Sequence, residues 1–138
     1  MLRFLFIMSF IVSLISCKKE NNTPDRPVDD RIPDGMVVVM GNFSGSNNYQ
    51  VQGTAKIFDS SGVKELRFEN FSSSNGPDLR VYLSKDLSAS SFISLGKLKS
   101  TSGNQNYLIP GNPDFKEFRY VLIWCEQFTV RFGSAIVN

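Results

Sequence analysis

The chain has 138 residues, with 15 Lys and Arg against 13 Asp and Glu, and it contains no histidine. That absence excludes His-based triads, Cys–His dyads, histidine zinc or copper sites and bis-histidine haem. The near-neutral balance argues against nucleic acid as a partner.

Residues 1–17 read MLRFLFIMSFIVSLISC. Arg3 supplies a positive start, and Phe4 to Ser16 is uncharged and almost wholly apolar. This run suits a signal-peptide core and is too short to span a bilayer comfortably. It ends Leu14-Ile15-Ser16-Cys17, an aliphatic residue three before a cysteine and a small one just before it. The pattern matches the lipobox of bacterial lipoproteins. Residues 1–16 are expected to be removed, and Cys17 to carry lipid as the first mature residue. Two or three acyl chains anchor a protein stably where one does not. The expected location is the cell envelope of a Gram-negative-type bacterium, on the periplasmic or surface face of the outer membrane. Lipidation uses one of two cysteines and leaves Cys125 as an unpaired thiol in an oxidising compartment.

Residues 17–35 are charged, carry Pro24, Pro27 and Pro33, and show no hydrophobic period. They read as a flexible tether. As a coil of about 18 residues it would reach roughly 20–25 Å. Residues 36–138 form the expected domain, large enough to fold without disulfides. MVVVM at 36–40 is a β-rich run ended by Gly41-Asn42. Tyr49, Val51, Gly53, Ala55 and Ile57 alternate with polar residues, as a half-buried strand requires. Residues 59–62 are a turn. Leu66 and Phe68 alternate with Glu65, Arg67 and Glu69. Leu79, Val81 and Leu83 share one face, with Arg80 and Tyr82 on the other. Further strands fit 92–98, 107–109, 120–125, 128–132 and 135–137. The fold class is all-β: an antiparallel sandwich or partly open barrel of about 8–9 short strands.

The stretch VLIWCEQFTVRFGSAIV is the most informative. With Glu126-Gln127 as a tight hairpin turn, Cys125 opposes Phe128, Ile123 opposes Val130 and Val121 opposes Phe132. Cys125 then faces the core, and Trp124 and Arg131 take the other face. A core cysteine is ordinarily a small inert hydrophobe. Glu-Gln is a poor two-residue turn, however, and a wider turn or a bulge would swing Cys125 towards the rim.

An ordered set of segments adds a resemblance. It comprises Gly53-Thr54-Ala55, Asn70-Phe71, Gly76-Pro77-Asp78-Leu79 and Val81-Tyr82-Leu83-Ser84. Leu95-Gly96-Lys97-Leu98, Gly103-Asn104-Gln105-Asn106-Tyr107 and Ile109-Pro110 follow. Ile123-Trp124-Cys125, Phe128 and Phe132-Gly133-Ser134-Ala135 close it. Over about residues 41–137 the chain resembles the DM13 domain family. The resemblance implies an all-β domain in extracytoplasmic electron transfer. It further implies that Cys125 acts as a free thiol or as a ligand to a group such as haem. Trp124 would then be an aromatic wall beside the thiol or a cover for the sheet. Asp78 would be a functional carboxylate or a turn residue.

Two functional readings follow. In the first, the chain is a membrane-tethered redox module centred on Cys125, with a separate redox partner protein. A haem version would have only Met36 or Met40 as a second sulfur ligand. In the second, it is a non-catalytic module that binds a glycan or an envelope protein through loop residues such as Tyr49, Asn106 and Tyr107, with Cys125 as packing. No nucleophile–base pair is visible, so an enzyme comes third. Metal ligation by histidine is excluded, and no EF-hand spacing is present.

Overall fold

The structure is a computed structural model that describes residues 29–138. The expected signal peptide, Cys17 and the first part of the tether lie outside the described residues. The period-2 pattern becomes eight strands: β1 (Met36–Gly45), β2 (Val51–Ser60), β3 (Val63–Ser73), β4 (Leu79–Ser84), β5 (Phe92–Lys97), β6 (Gln105–Ile109), β7 (Tyr120–Cys125) and β8 (Val130–Ile136). They join one antiparallel sheet in the order β5-β4-β7-β8-β1-β2-β3-β6. The sheet curls until edge strands β5 and β6 meet without pairing, which makes a nearly closed barrel. The connection between them crosses the gap. Leu98 N–H donates to the Leu79 carbonyl (2.8 Å), and Gly103 N–H donates to the Phe71 carbonyl (2.9 Å). Among the described residues no helix is long and apolar enough to cross a membrane.

The inward-facing residues form one core. Phe43, Phe68, Phe71 and Tyr107 meet at centroid distances of 4.8–5.3 Å. Leu79, Val81 and Leu83 face this core as expected. Tyr82, on the opposite face, is nevertheless covered, because Phe92 of β5 stacks on it at 4.0 Å.

Three local expectations are corrected. β1 runs through Gly41-Asn42, because Gly41 and Asn42 stay paired with Ala55 and Thr54, and Met40 bonds Asn138 on its other side. Residues 128–132 and 135–137 are not two strands, since Gly133-Ser134 continues β8. The two-residue hairpin is replaced by a wider turn over residues 126–129, with Thr129 at φ 52°. Cys125 therefore opposes Val130, Ile123 opposes Gly133 and Val121 opposes Ala135. Phe128 is exposed in the turn. A bulge absorbs Phe132, so Phe132 and Gly133 both face inward. Glycine is required there: a Cβ on Gly133 would lie 2.6 Å from the Val51 side chain.

The end of the expected tether lies along the outer face of β3 and β6. Buried Arg67 donates to the carbonyls of Asp30 (2.8 Å) and Arg31 (2.7 Å) and to Asn106 Oδ1 (3.1 Å). Asn106 Nδ2 donates to the Arg31 carbonyl (2.6 Å), and Arg31 Nη2 donates to both Glu65 carboxylate oxygens (3.1 and 3.0 Å). Pro33 is buried.

Candidate functional site

Cys125 is the last residue of β7 and is fully buried. Its neighbours across the ladder are Leu79 of β4 and Val130 of β8, and Val121 and Ile123 share its face. It is a free thiol. The alternation expected to bury it does so, and neither the wider turn nor the bulge swings it outward.

The Gly76-Pro77-Asp78-Leu79 passage forms a cap over this end of the barrel. Glu126 N–H donates to the Asp78 carbonyl at 2.9 Å, which ties the cap to the residue after the cysteine. Gly76 lies directly on the core: a Cβ there would come within 2.9 Å of the Phe132 ring and 3.0 Å of Leu79. Tyr49 stacks on Phe132 from the other direction at 3.6 Å. The thiol is thus closed off by residues 75–79 on one side and the 126–129 turn on the other. Gly-Pro in the sequence marks the turn, but only the fold shows what the missing Cβ admits.

The other expected site residues are placed apart from the thiol. Trp124 points to the outer face opposite Arg80 and Arg131, so the sheet backbone separates it from the sulfur. Asp78 forms a two-point ion pair with Arg80 (2.8 and 3.2 Å), and that guanidinium holds its carboxyl below the usual range. Arg131 donates to Ser46 Oγ and to the Leu87 carbonyl on the outer face. No cation is therefore delivered to the thiol, which a stabilised thiolate would need. Met36 and Met40 are exposed at the opposite end of the barrel. Asn106 and Tyr107 are buried strand residues rather than loop residues. Asn106 belongs to the Arg67 clamp, and the Tyr107 hydroxyl bonds Gln105 and the Lys99 amide. Tyr49 spends its ring on Phe132.

One pair escapes sequence reasoning. The Tyr82 hydroxyl donates to the Glu126 carboxylate, and burial together with that carboxylate pushes the phenol up to about 12. The two residues are 44 positions apart, and only the β4–β7 register joins them.

Haem fits this site poorly. Ligand pockets for molecules of that class run to about 300–1,000 Å³. The cavity nearest the cap is about 210 Å³ and is lined by residues 75–79, Lys97, Leu98 and Thr101, with Cys125 behind Leu79. Neither methionine can reach the sulfur. Among the described residues no group of three or more Cys, Asp and Glu side chains could hold a metal, and no buried side-chain polar atom lacks a partner.

A family model described as electron transfer DM13 matches residues 42–137. No curated protein and no solved structure matches the chain. The matched stretch runs from β1 to the end of β8 and takes in the cap and Cys125 together. The chain therefore belongs to the DM13 electron transfer family.

Proposed function

We propose that this chain is a lipid-anchored envelope protein whose DM13 domain carries electrons through Cys125 as a masked thiol. Membership of the family gives the electron-transfer role in general terms. The observation that supports the thiol is its position. Cys125 is the free thiol of the described domain, and it lies one layer beneath a cap whose loop part, residues 75–78, is tied down by the Glu126–Asp78 backbone hydrogen bond and by Gly76 seated on Phe132. Local opening of such a cap costs less than global unfolding and admits a partner.

The chemistry is thiol–disulfide exchange. On opening, Cys125 loses its proton to solvent. The thiolate attacks one sulfur of a partner disulfide, a mixed disulfide forms, and the partner's other sulfur leaves as thiolate. The domain offers no resolving cysteine, so a second, dithiol protein completes the transfer: its thiolate attacks the Cys125 sulfur, the first partner leaves as its dithiol, and the second protein's other thiol then attacks that protein's own sulfur, closing its disulfide and releasing Cys125 as thiolate. Oxidant and reductant are thus both thiol–disulfide proteins of the envelope. The lipobox at Leu14-Ile15-Ser16-Cys17 supports the membrane anchor. No step is routed through haem.

A second reading is favoured by one observation, the complete burial of Cys125 among apolar neighbours. There the cysteine is packing and the domain is a non-catalytic binding module. Thiol labelling of the native protein separates the two. Labelling under conditions where the fold is intact, lost in Cys125→Ser, supports exchange. Labelling only after denaturation, together with unchanged behaviour of Cys125→Ser, supports packing and ends the redox role of this residue.

A further inference from the structure

We propose that Trp124 and Tyr82 form a one-electron relay on the outer face of β4 and β7, in which an oxidising equivalent taken at Trp124 passes to Tyr82 and the Tyr82 proton passes to Glu126. The relay goes beyond the thiol chemistry and does not use Cys125.

Strand register builds the arrangement. Tyr82 pairs across the ladder with Leu122, which makes Trp124 its diagonal neighbour on the same face. The two ring centroids are 6.3 Å apart and the rings are tilted by 29°, a stacked pair across which an electron can pass. Phe92 stacks on the phenol at 4.0 Å and seals it, so Tyr82 is 4% exposed although it faces outward. An oxidant arriving from solution therefore cannot rest on Tyr82. Trp124 is half-buried and keeps part of its indole at the surface. It is the chain's one tryptophan. An indole can give up an electron first and its proton afterwards, so Trp124 needs no proton acceptor beside it.

The phenol does need one. Loss of an electron alone would leave a cation in a site with little water, which is costly. Loss of the proton first is also opposed, because burial and the neighbouring carboxylate push the phenol up to about 12. Electron and proton must leave together, and the hydroxyl donates to the Glu126 carboxylate. Arg80, opposite Trp124, is held by Asp78 through a two-point ion pair, and neither bonds the phenol hydroxyl.

A freely diffusing one-electron oxidant, an oxygen- or nitrogen-centred radical, takes one electron from Trp124 and leaves as its anion. The indole loses its Nε1 proton to solvent and becomes a neutral indolyl radical. Tyr82 then gives that radical one electron and gives Glu126 one proton, while the indolyl recovers a proton from solvent. Trp124 is restored, and a neutral tyrosyl radical stands beside a protonated Glu126. A hydroquinone-type donor resets the site. It gives one electron and loses its own proton to solvent, leaving as a semiquinone, and Glu126 returns the proton to Tyr82.

Pulse radiolysis of the purified full chain with azide radicals, which oxidise indole first, tests the relay. The indolyl absorption should decay as the tyrosyl absorption rises, with one rate constant that does not change with protein concentration. In Tyr82→Phe, which keeps the ring and its stacking, that rise should disappear. In Glu126→Gln, which keeps an acceptor oxygen but not a base, it should slow about 100-fold, the lower end of what a positioned proton acceptor supplies. Native circular dichroism of both variants shows that the fold is retained. Cys125→Ser should leave the rate unchanged, so failure of the thiol reading does not touch the relay. A tyrosyl rise that survives in Tyr82→Phe would put the radical on Tyr49, Tyr107 or Tyr120 and overturn the proposal. Indolyl decay without a tyrosyl rise in the native chain, or an unchanged rate in Glu126→Gln, would overturn it as well.

Discussion

Replacing Gly76 by alanine tests whether the thiol is reached by local opening of the cap. The new Cβ would sit 2.9 Å from the Phe132 ring and 3.0 Å from Leu79. Leu79 can yield at its tip. Phe132 cannot, because it is 1% exposed and stacked on Tyr49 at 3.6 Å. Overpacking of this kind costs about 1–3 kcal/mol. The strain disappears when the cap lifts, so the opening equilibrium gains that amount. At 1.36 kcal/mol per decade, labelling of Cys125 should accelerate about 5- to 160-fold. The assay is the rate of native-state thiol modification, followed against urea stability. A remote core change gives the comparison. Ile57→Val, fully buried on β2, should cost about 0.5–1.5 kcal/mol of global stability and leave the labelling rate unchanged. Labelling that instead rises in both variants in proportion to lost stability would mean that the thiol is reached only through unfolding. The masked-thiol reading would then fail.

Arg67→Met removes the clamp on residues 30 and 31. Arg67 is 3% exposed and its bonds are charge-assisted, so urea unfolding should show a loss of about 2–4 kcal/mol, with faster proteolysis ahead of Met36. Glu65→Ala removes only the carboxylate that holds half-exposed Arg31 and should leave the urea midpoint nearly unchanged; an equal effect of the two would refute the clamp as the anchor of this segment. Tyr82 has a folded pKa near 12 against an ordinary 10, so its contribution to stability is complete below pH 10 and is lost as pH rises towards 12. In a tyrosinate absorbance titration, the difference between wild type and Tyr82→Phe should therefore appear near pH 12; a component near 10 would contradict the Glu126 contact. The purified protein should show no Soret band, and one that disappears in Cys125→Ser would reverse the argument against haem.

Much of the fold was legible because strand parity is robust. The burial of Cys125 survives an incorrect hairpin for a simple reason. The turn is two residues wider than expected, and a shift of two leaves every side chain on its original face. The one-residue bulge at Phe132 does flip the remainder of β8, which is what puts Ala135 in the core and Ser134 and Ile136 outside. Phe132 and Gly133 both turn inward, and Ser134, Ala135 and Ile136 resume the alternation. The misreading of Gly133-Ser134 as a break has the same origin, since glycine inside a strand marks either a turn or a close approach and only packing decides. The Arg67 clamp left no trace in the sequence. Its acceptors are main-chain carbonyls 36 and 37 positions away, and every residue has a carbonyl. Trp124, which the resemblance offered either as a wall beside the thiol or as a cover for the sheet, lies on the face where the strand register had put it. Trp124 is adjacent to Cys125 in sequence, and that adjacency is what sends it to the opposite face.

If the proposed envelope location holds, burial and reactivity are compatible for the domain's single thiol in that oxidising compartment. An exposed lone cysteine there would drift up the oxidation ladder or pair at random with other thiols. Each of those reactions is slowed by the fraction of time the cap is open, and so is the productive one. A partner gains an advantage only by binding the open cap, which means contacts with residues 75–79 and the 126–129 turn. Phe128, exposed at the tip of that turn, is the apolar side chain best placed to be covered in such a complex. Phe128→Ser should therefore leave the reaction of Cys125 with small reagents unchanged while slowing exchange with a protein disulfide. A variant that slows both equally would show that Phe128 acts on cap opening itself, and the proposed partner surface would lose its support.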